Sequence, residues 1–173
     1  MKKTNIQKVL ITGMSFSGKS YVSDFMKKKG VNVVDADNIK GLGQWFDKDG
    51  NKVLFLNNAN KEWLDNHDFL WDKDFLSSWI DNQEFDIYLF GLSGNVLDVC
   101  DLFDKTYYLD ISPAVLKKRF IENKRSNPMG KTDAQKQVIL KRLMNFAKRA
   151  KVKGLVFINA NKSPEEICTV ITG

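Results

Sequence analysis

The stretch Gly13-Met14-Ser15-Phe16-Ser17-Gly18-Lys19-Ser20 fits the pattern GxxxxGK[ST], and it decides the fold. An apolar run, KVLIT at 8–12, precedes it, and a segment with helical spacing, SYVSDFMKKKG at 20–30, follows it. A glycine loop between a strand and a helix turns several N–H groups inward at the positive end of the helix dipole, where they attract anions. The sequence therefore predicts a loop that cradles a polyphosphate.

Each position of this motif has an expected task. Lys19 is expected to reach the β and γ phosphates of a nucleoside triphosphate, and the Ser20 hydroxyl is expected to ligate Mg²⁺. The residues predicted to contact the nucleotide in this region are Gly13, Ser15, Phe16, Ser17, Gly18, Lys19, Ser20 and Tyr21.

Length and composition predict one ordinary globular domain spanning 1–173. The chain has 173 residues, of which 43% are hydrophobic and 28% charged, so global disorder is excluded. No apolar run is long enough to cross a bilayer, and the first residues lack a secretory hydrophobic stretch, so we expect a cytoplasmic protein without membrane partners. Cys100 and Cys168 have no CxxC or histidine partners and are expected to be buried small side chains.

The net charge of +6 is unevenly distributed. Residues 1–100 carry 12 lysines against 14 acidic residues, whereas 101–173 carry 15 basic against 7 acidic residues. The stretch 117–153 alone holds 13 basic residues, including every arginine of the chain. Such a stretch fits a lid that closes on phosphates, a solvated helix surface, or a nucleic-acid contact.

Strand and helix patterns alternate along the chain. Apolar strand patterns occur at 31–37, 85–91, 105–111 and 154–160, and helical patterns at 73–83, 95–103, 113–125, 133–152 and 164–172. This alternation predicts an α/β domain with a mainly parallel sheet, whose binding site lies beyond the carboxyl ends of the strands.

Two segments interrupt the alternation. QWFDKDGNKVLFL at 44–56 has Asp49-Gly50 between apolar flanks and predicts a hairpin, within an insertion at about 38–84 that we assign to acceptor binding. The stretch 123–133 contains Asn127-Pro128 and Gly130 between two basic helices and predicts a loop that serves as a lid.

Asp35 and Asp37 stand at the end of the second strand. In an extended chain their i, i+2 spacing turns both carboxylates to the same side. Asp35 is expected to hold Mg²⁺ through water, and Asp37 to orient the acceptor hydroxyl or take its proton. A solvated Asp-Ala-Asp turn is the alternative.

Two nucleotide-hydrolase classes are disfavoured. The third strand ends in Gly91 and Gly94, where a motor-type ATPase would place a carboxylate, so the metal must be held from elsewhere. A GTPase base reader, Asn-Lys-x-Asp, is also missing, because Asn161-Lys162-Ser163-Pro164 lacks the aspartate.

Together, VLITGMSFSGKS, VVDAD, the glycine-bearing third strand, YYLDISPAVLKKRF and KRSNPMGK resemble the small P-loop kinases, which include adenylate, shikimate and dephospho-CoA kinases. More closely, the set resembles bacterial shikimate-kinase-like or nucleotide-kinase-like proteins of the AAA-family-ATPase label, which carry an Asn-Pro-x-Gly-Lys loop. The resemblance implies a three-layer P-loop NTPase fold: a five-stranded parallel sheet of order 2-3-1-4-5, helices on both faces, and a lid.

The resemblance also implies cofactors and residue roles. It implies ATP and Mg²⁺ as cofactors and phosphoryl transfer as the reaction. Arg119 and Arg125 would close from the lid region on the phosphates, with Lys131 assisting, and Asn159 and Asn161 would border the adenine.

The acceptor side departs from the related kinases, which clamp anionic acceptors with arginines. No arginine precedes Arg119, and the stretch 44–86 has ten acidic residues, four lysines and several aromatic residues. We therefore expect a neutral or cationic acceptor, with Asp37, Trp45, Gly91 and Gly94 at its site. Lys40 could still serve a phosphate, the tryptophans could be simple core, and His67 is expected to be a surface or capping residue.

The prediction is an ATP-dependent small-molecule kinase that phosphorylates a nucleoside-, sugar- or shikimate-like hydroxyl acceptor. A nucleoside monophosphate kinase is the alternative within enzymes. A nucleotide-binding regulatory or nucleic-acid-binding protein is the alternative from another class. We expect a small-molecule acceptor rather than nucleic acid as the partner.

Overall fold

The computed structural model describes residues 6–122 and 129–173, which form two sheets and six α-helices. The strands are β1 Lys8–Thr12, β2 Val33–Asp35, β3 Gly43–Phe46, β4 Lys52–Val53, β5 Asp68–Trp71, β6 Ile87–Phe90, β7 Lys105–Asp110 and β8 Val156–Asn159. The helices are α1 Lys19–Lys28, α2 Lys61–Asn66, α3 Lys73–Asp81, α4 Pro113–Ile121, α5 Asp133–Lys153 and α6 Pro164–Thr172.

The main sheet is parallel and has the order β2-β6-β1-β7-β8. Counted among its own five strands, this is 2-3-1-4-5, because the three remaining strands belong to a separate sheet. In the register, Ile11 lies beside Phe90, Phe90 beside Asp35, and Thr12 beside Tyr108. The carboxyl ends of β1, β2, β6 and β7 therefore meet at one edge, as the alternation predicted.

Helices cover both faces of this sheet, and two neighbouring tyrosines show how. Successive residues of a strand point to opposite faces. The Tyr107 hydroxyl donates a hydrogen bond to the Val170 carbonyl in α6, whereas the Tyr108 ring packs against Phe146 in α5 at 5.6 Å. The helices α5 and α6 therefore lie on opposite faces, and the predicted three-layer arrangement is confirmed.

The insertion forms an antiparallel sheet of order β4-β3-β5. The hairpin predicted at 44–56 is confirmed as β3 and β4. The short elements α2 and β5 were not predicted, although their neighbourhood carries capping signals: the side chains of Asn60 and Asp72 accept hydrogen bonds from the first turns of α2 and α3.

Main-chain contacts at the end of β6 attach the insertion to the main sheet. The side-chain amide of Asn95 bonds both the N–H and the carbonyl of Trp71, each at 2.9 Å, and so continues the pairing of β5. The Gly94 N–H donates to the Phe69 carbonyl at 2.7 Å. A Cβ on Gly91 would lie 2.6 Å from both Ala36 and the Trp71 indole, so only glycine allows this approach.

Several boundaries differ from the sequence predictions. The segment predicted as a helix at 95–103 is a 3-10 helix over Val96–Leu102, and the helix predicted at 113–125 ends at Ile121. Most of the predicted lid falls on 123–128, outside the described residues. Cys100 is buried, Cys168 is partly buried, and both are free thiols.

In the part of the chain that the structure describes, no helix combines the length and apolar character that crossing a bilayer requires.

We predict that Gly91→Ala destabilises the protein by about 1–3 kcal/mol, because the new methyl group overpacks the contact between β6 and Trp71. Trp71→Phe removes the indole atoms that the methyl would strike. The double variant should therefore lose less free energy of unfolding than the two single effects added together. Urea denaturation of all four proteins measures this, and simple additivity would contradict the contact.

Candidate phosphate-binding and phosphoryl-transfer site

The loop between β1 and α1 curls around its own backbone at the carboxyl edge of the sheet. Gly18, the residue before α1, has φ 98°, a left-handed conformation that glycine adopts freely. A Cβ on Gly13 would lie 2.7 Å from the Ser17 hydroxyl, so the loop closes only because Gly13 has no side chain. The Lys19 ammonium donates to the carbonyls of Gly13 at 2.5 Å and Met14 at 3.1 Å. The loop and its lysine therefore have the compact shape that phosphate binding requires.

Phe16 holds an unusual conformation at the centre of this loop. Its φ is 70°, and it is the single non-glycine residue with positive φ among the described residues. The ring is buried and meets the Phe120 ring edge-on at 4.9 Å. Because left-handed backbone costs a bulky residue about 1–2 kcal/mol, the packing of the ring must hold the loop in this shape.

Arg119 fixes the same residue from α4. Its guanidinium donates to the Phe16 carbonyl at 2.8 Å and to the Ala160 carbonyl, just after β8, at 3.0 Å. Burial lowers the pKa of Arg119, and Glu122 opposes that shift, but a guanidinium stays charged at neutral pH. Arg119 therefore lies on α4, before the predicted lid, and braces the phosphate loop against the segment after β8. Its closing on the phosphates stays a prediction.

The carboxylates at the end of β2 have a different geometry from the one predicted. The strand ends at Asp35, and the next residues form a 3-10 helix over Ala36–Asn38. Asp35 Oδ1 accepts a hydrogen bond from the Asp37 N–H at 3.0 Å, so the chain turns directly after the strand. The predicted extended geometry, with both carboxylates on the same side, is therefore wrong, and the Asp-Ala-Asp turn given as the alternative is present. Asp35 is half-buried and Asp37 exposed, and both remain at the carboxyl edge.

Asp35 lies two strands away from β1, about 10 Å in a parallel sheet. On the other side of β1, Asp110 is exposed at the end of β7, and its carbonyl accepts a hydrogen bond from Ala160 N–H at 2.8 Å. Asp110 was not among the predicted site residues, although it ends a strand at the same edge. The phosphate loop therefore has carboxylates on both sides.

The other residues that were predicted to contact the nucleotide lie in the loop, in the first turn of α1, and at the end of β8. Ser20 and Tyr21 are exposed on α1, and Ser15 is half-buried in the loop. Asn159 and Asn161 are exposed after β8, where Asn159 Oδ1 accepts a hydrogen bond from the Asn161 N–H at 2.9 Å.

Among the described residues, the buried hydroxyls of Thr12, Ser17 and Tyr108 have no hydrogen-bond partner. Ser17 belongs to the phosphate loop itself, and Thr12 ends the strand directly before it. A buried hydroxyl without a hydrogen-bond partner is energetically costly. The loop region therefore contains two hydroxyls, those of Thr12 and Ser17, that the described residues leave without a hydrogen bond.

The predicted acceptor residues have mainly packing contacts. Trp45 lies in an aromatic cluster with Phe55, Trp63 and Phe69, with ring centroids 5.1–5.6 Å apart. Gly91 packs against Trp71, and a Cβ on Gly94 would lie 3.2 Å from Leu70. His67 stacks on Trp63 at 4.0 Å.

The predicted lid contributes one described basic residue. Lys131 is exposed, and its N–H donates to the side chain of Gln135. Arg125 lies outside the described residues. Gln135 was not predicted to matter, although Thr132-x-x-Gln135 is the spacing of a capping box, which the structure contains at the start of α5.

A groove of about 500 Å³ lies near Val31, Asn32, Phe85 and Asp86. These residues precede β2 and β6, so the groove is at the amino ends of the strands. It is therefore on the edge opposite the phosphate loop and is not part of this site.

No protein-family model and no curated protein matches the sequence. Solved structures do match the fold. Deoxyadenosine kinase from M. mycoides, with bound dATP, has a TM-score of 0.57 and 14% identity, covering 96% of this chain and 97% of that one. A sugar kinase from Janibacter sp. has a TM-score of 0.54 and 19% identity, covering 97% and 94%.

Shikimate kinase from Bacteroides thetaiotaomicron has a TM-score of 0.52 and 16% identity, covering 96% of this chain and 94% of that one. By their names these three neighbours are kinases, and the chain has their fold over nearly its whole length.

We predict that Phe16→Gly is more stable than Phe16→Ala by about 1 kcal/mol, the reverse of the usual order, because glycine adopts φ 70° without strain. Both variants should be less stable than the parent protein, since both lose the buried ring. Chemical denaturation measures the order. A Phe16→Ala protein as stable as Phe16→Gly would show that the backbone strain is absent.

Proposed function

We propose that this protein is an ATP- and Mg²⁺-dependent kinase that transfers the γ-phosphoryl group to a hydroxyl of a small molecule. The observation that carries the proposal is the curled loop with Lys19 folded over it, at the sheet edge that also bears Asp35 and Asp37. Phosphoryl transfer depends on positioning and on fixed positive charge, and this edge offers both beside a carboxylate that can accept a proton.

In the proposed reaction the loop amides and Lys19 bind the β and γ phosphates. The acceptor oxygen attacks the γ-phosphorus, and the oxygen that bridges the β and γ phosphates leaves. Asp37 orients the acceptor hydroxyl and takes its proton, a role that its exposed position permits. Arg119 holds the loop in its binding shape through the Phe16 carbonyl. Asn159 and Asn161 border the nucleotide base.

The residues present fit a magnesium ion. Mg²⁺ prefers oxygen ligands and is usually held by one or two carboxylates together with phosphate oxygens. The Ser20 hydroxyl is exposed at the start of α1 and the Asp35 carboxylate is half-buried at the end of β2, and these two would hold the ion. When bound, Mg²⁺ neutralises charge on the β and γ phosphates.

The acceptor is proposed to be neutral or cationic, of the nucleoside or sugar class. The insertion has no arginine that could clamp an anionic group, and its segment 44–86 has ten acidic residues against four lysines. Two structural neighbours, by their names, are a deoxyadenosine kinase and a sugar kinase, which supports this class without selecting a compound.

We predict that Lys19→Ala reduces phosphoryl transfer at least about 100-fold, because it removes the charge next to the transferring group. Asp37→Asn should reduce kcat with a small effect on the affinity for nucleotide. The matched control is Lys28→Ala, which removes a lysine from the exposed last turn of the same helix. ADP release from Mg·ATP, measured with a panel of nucleosides, sugars and nucleoside monophosphates, gives the rates.

The panel separates the candidate functions. Stimulation by nucleosides or sugars supports the proposal, and stimulation by monophosphates alone supports a nucleoside monophosphate kinase. Failure of the parent protein to bind Mg·ATP, or full activity of Lys19→Ala, would overturn the kinase assignment.

A further inference from the structure

Gln135 is a fully buried polar side chain in the first turn of α5. Its amide oxygen accepts hydrogen bonds from three successive N–H groups, those of Gly130 and Lys131 at 2.9 Å and that of Thr132 at 3.4 Å. A capping box requires only the last of these. The oxygen of Gln135 therefore fixes the segment 130–132, the part of the predicted lid that directly precedes α5.

The other end of the same amide reaches the insertion. Gln135 Nε2 donates to the Asn57 carbonyl at 3.2 Å, between β4 and α2. Further along α5, Arg142 donates to the Leu64 carbonyl at 2.8 Å, and Val138 packs with Leu64. Positions 135, 138 and 142 share one helix face, so α5 holds the insertion along a single line of contacts.

The segment fixed by Gln135 rests on the phosphate loop. Gly130 has φ 93°, and a Cβ there would lie 2.4 Å from the Phe16 ring. Phe16 in turn is the strained residue whose carbonyl Arg119 holds. A continuous path therefore runs from the phosphate loop through Phe16, Gly130 and Gln135 to Asn57 in the insertion.

We propose that Gln135 is a positioning residue that couples the phosphate loop to the acceptor-binding insertion. The inference rests on the proposed function, because it needs nucleotide to bind at the loop. Nucleotide binding fixes Phe16, and the contact with Gly130 and the two arms of Gln135 then order the insertion. Since coupling of binding free energies is reciprocal, an acceptor bound at the insertion also strengthens nucleotide binding.

The test uses two substitutions that separate the hydrogen bonds accepted by the Gln135 side chain from the one that it donates. Gln135→Glu, measured at a pH where its carboxylate is ionised, keeps an oxygen that accepts from 130–132 and removes the donor to Asn57. Gln135→Met removes both arms without introducing a buried charge, so it serves if the glutamate variant does not fold. The matched control is Glu166→Ala, which breaks the capping box of α6, where Glu166 accepts from Ser163 N–H at 3.0 Å. That helix has no such link to the insertion in the described contacts.

The measurement is amide hydrogen exchange of the full chain with and without Mg²⁺ and a nonhydrolysable ATP analogue. In the parent protein and in Glu166→Ala, the analogue should slow exchange at 55–66 by about fivefold or more, in the range of ordinary coupling energies. In Gln135→Glu the analogue should bind within about twofold of the parent affinity, with protection at the phosphate loop but none at 55–66. Gln135→Met should also lose the protection at 55–66.

The outcomes separate the two proposals. A parent protein that does not bind the analogue would remove the proposed function, and the coupling with it. A parent that binds the analogue without protection at 55–66, or a folded Gln135 variant that keeps that protection, would overturn the coupling while the kinase assignment stands. A purely structural role for Gln135 would lower stability and leave the protection pattern unchanged.

Discussion

The hydrogen bond from Arg119 to the Phe16 carbonyl, together with the packing of the Phe16 ring, holds the phosphate loop in its curled shape. A loop that presents several N–H groups to one anion is unfavourable on its own, because its backbone dipoles repel one another and Phe16 is strained. The contacts that offset this come from α4, from Gly130 and from the segment after β8. The loop motif is local in sequence, but its shape depends on three distant parts of the chain.

The sheet provides the second half of the site, since its parallel strands deliver the loop and the carboxylates to a single edge. The insertion is built differently. It has its own three-stranded sheet and aromatic cluster, and it meets the main sheet at Gly91, Gly94 and Asn95. In the proposed function, phosphate binding falls on the main sheet and acceptor binding on the insertion, and contacts such as those of Gln135 link the two.

The long periodic elements and the loop motif were predictable from the sequence. A run of apolar residues indicates a buried strand, and a Ser-Pro pair indicates the start of a helix. The short elements α2 and β5 were not, since four to six residues give no usable period and Trp71 is buried by a contact with a glycine twenty positions away. The turn at Asp35 was predicted only as the alternative to an extended strand end, because no local pattern shows that the Asp35 carboxylate accepts a hydrogen bond from the Asp37 N–H. The roles of Arg119 and Gln135 depend on carbonyls far along the chain, which no local pattern specifies.

The joint between the two sheets has a consequence for how such a protein changes over time or by design. Gly94 and Asn95 hydrogen-bond to the main chain of the insertion. This attachment therefore does not depend on which side chains the small sheet presents to solvent. Solvent-facing side chains of β3 and β4 can therefore be substituted without weakening the attachment of the insertion to the main sheet. For the proposed kinase, laboratory selection for a different acceptor should begin at these positions.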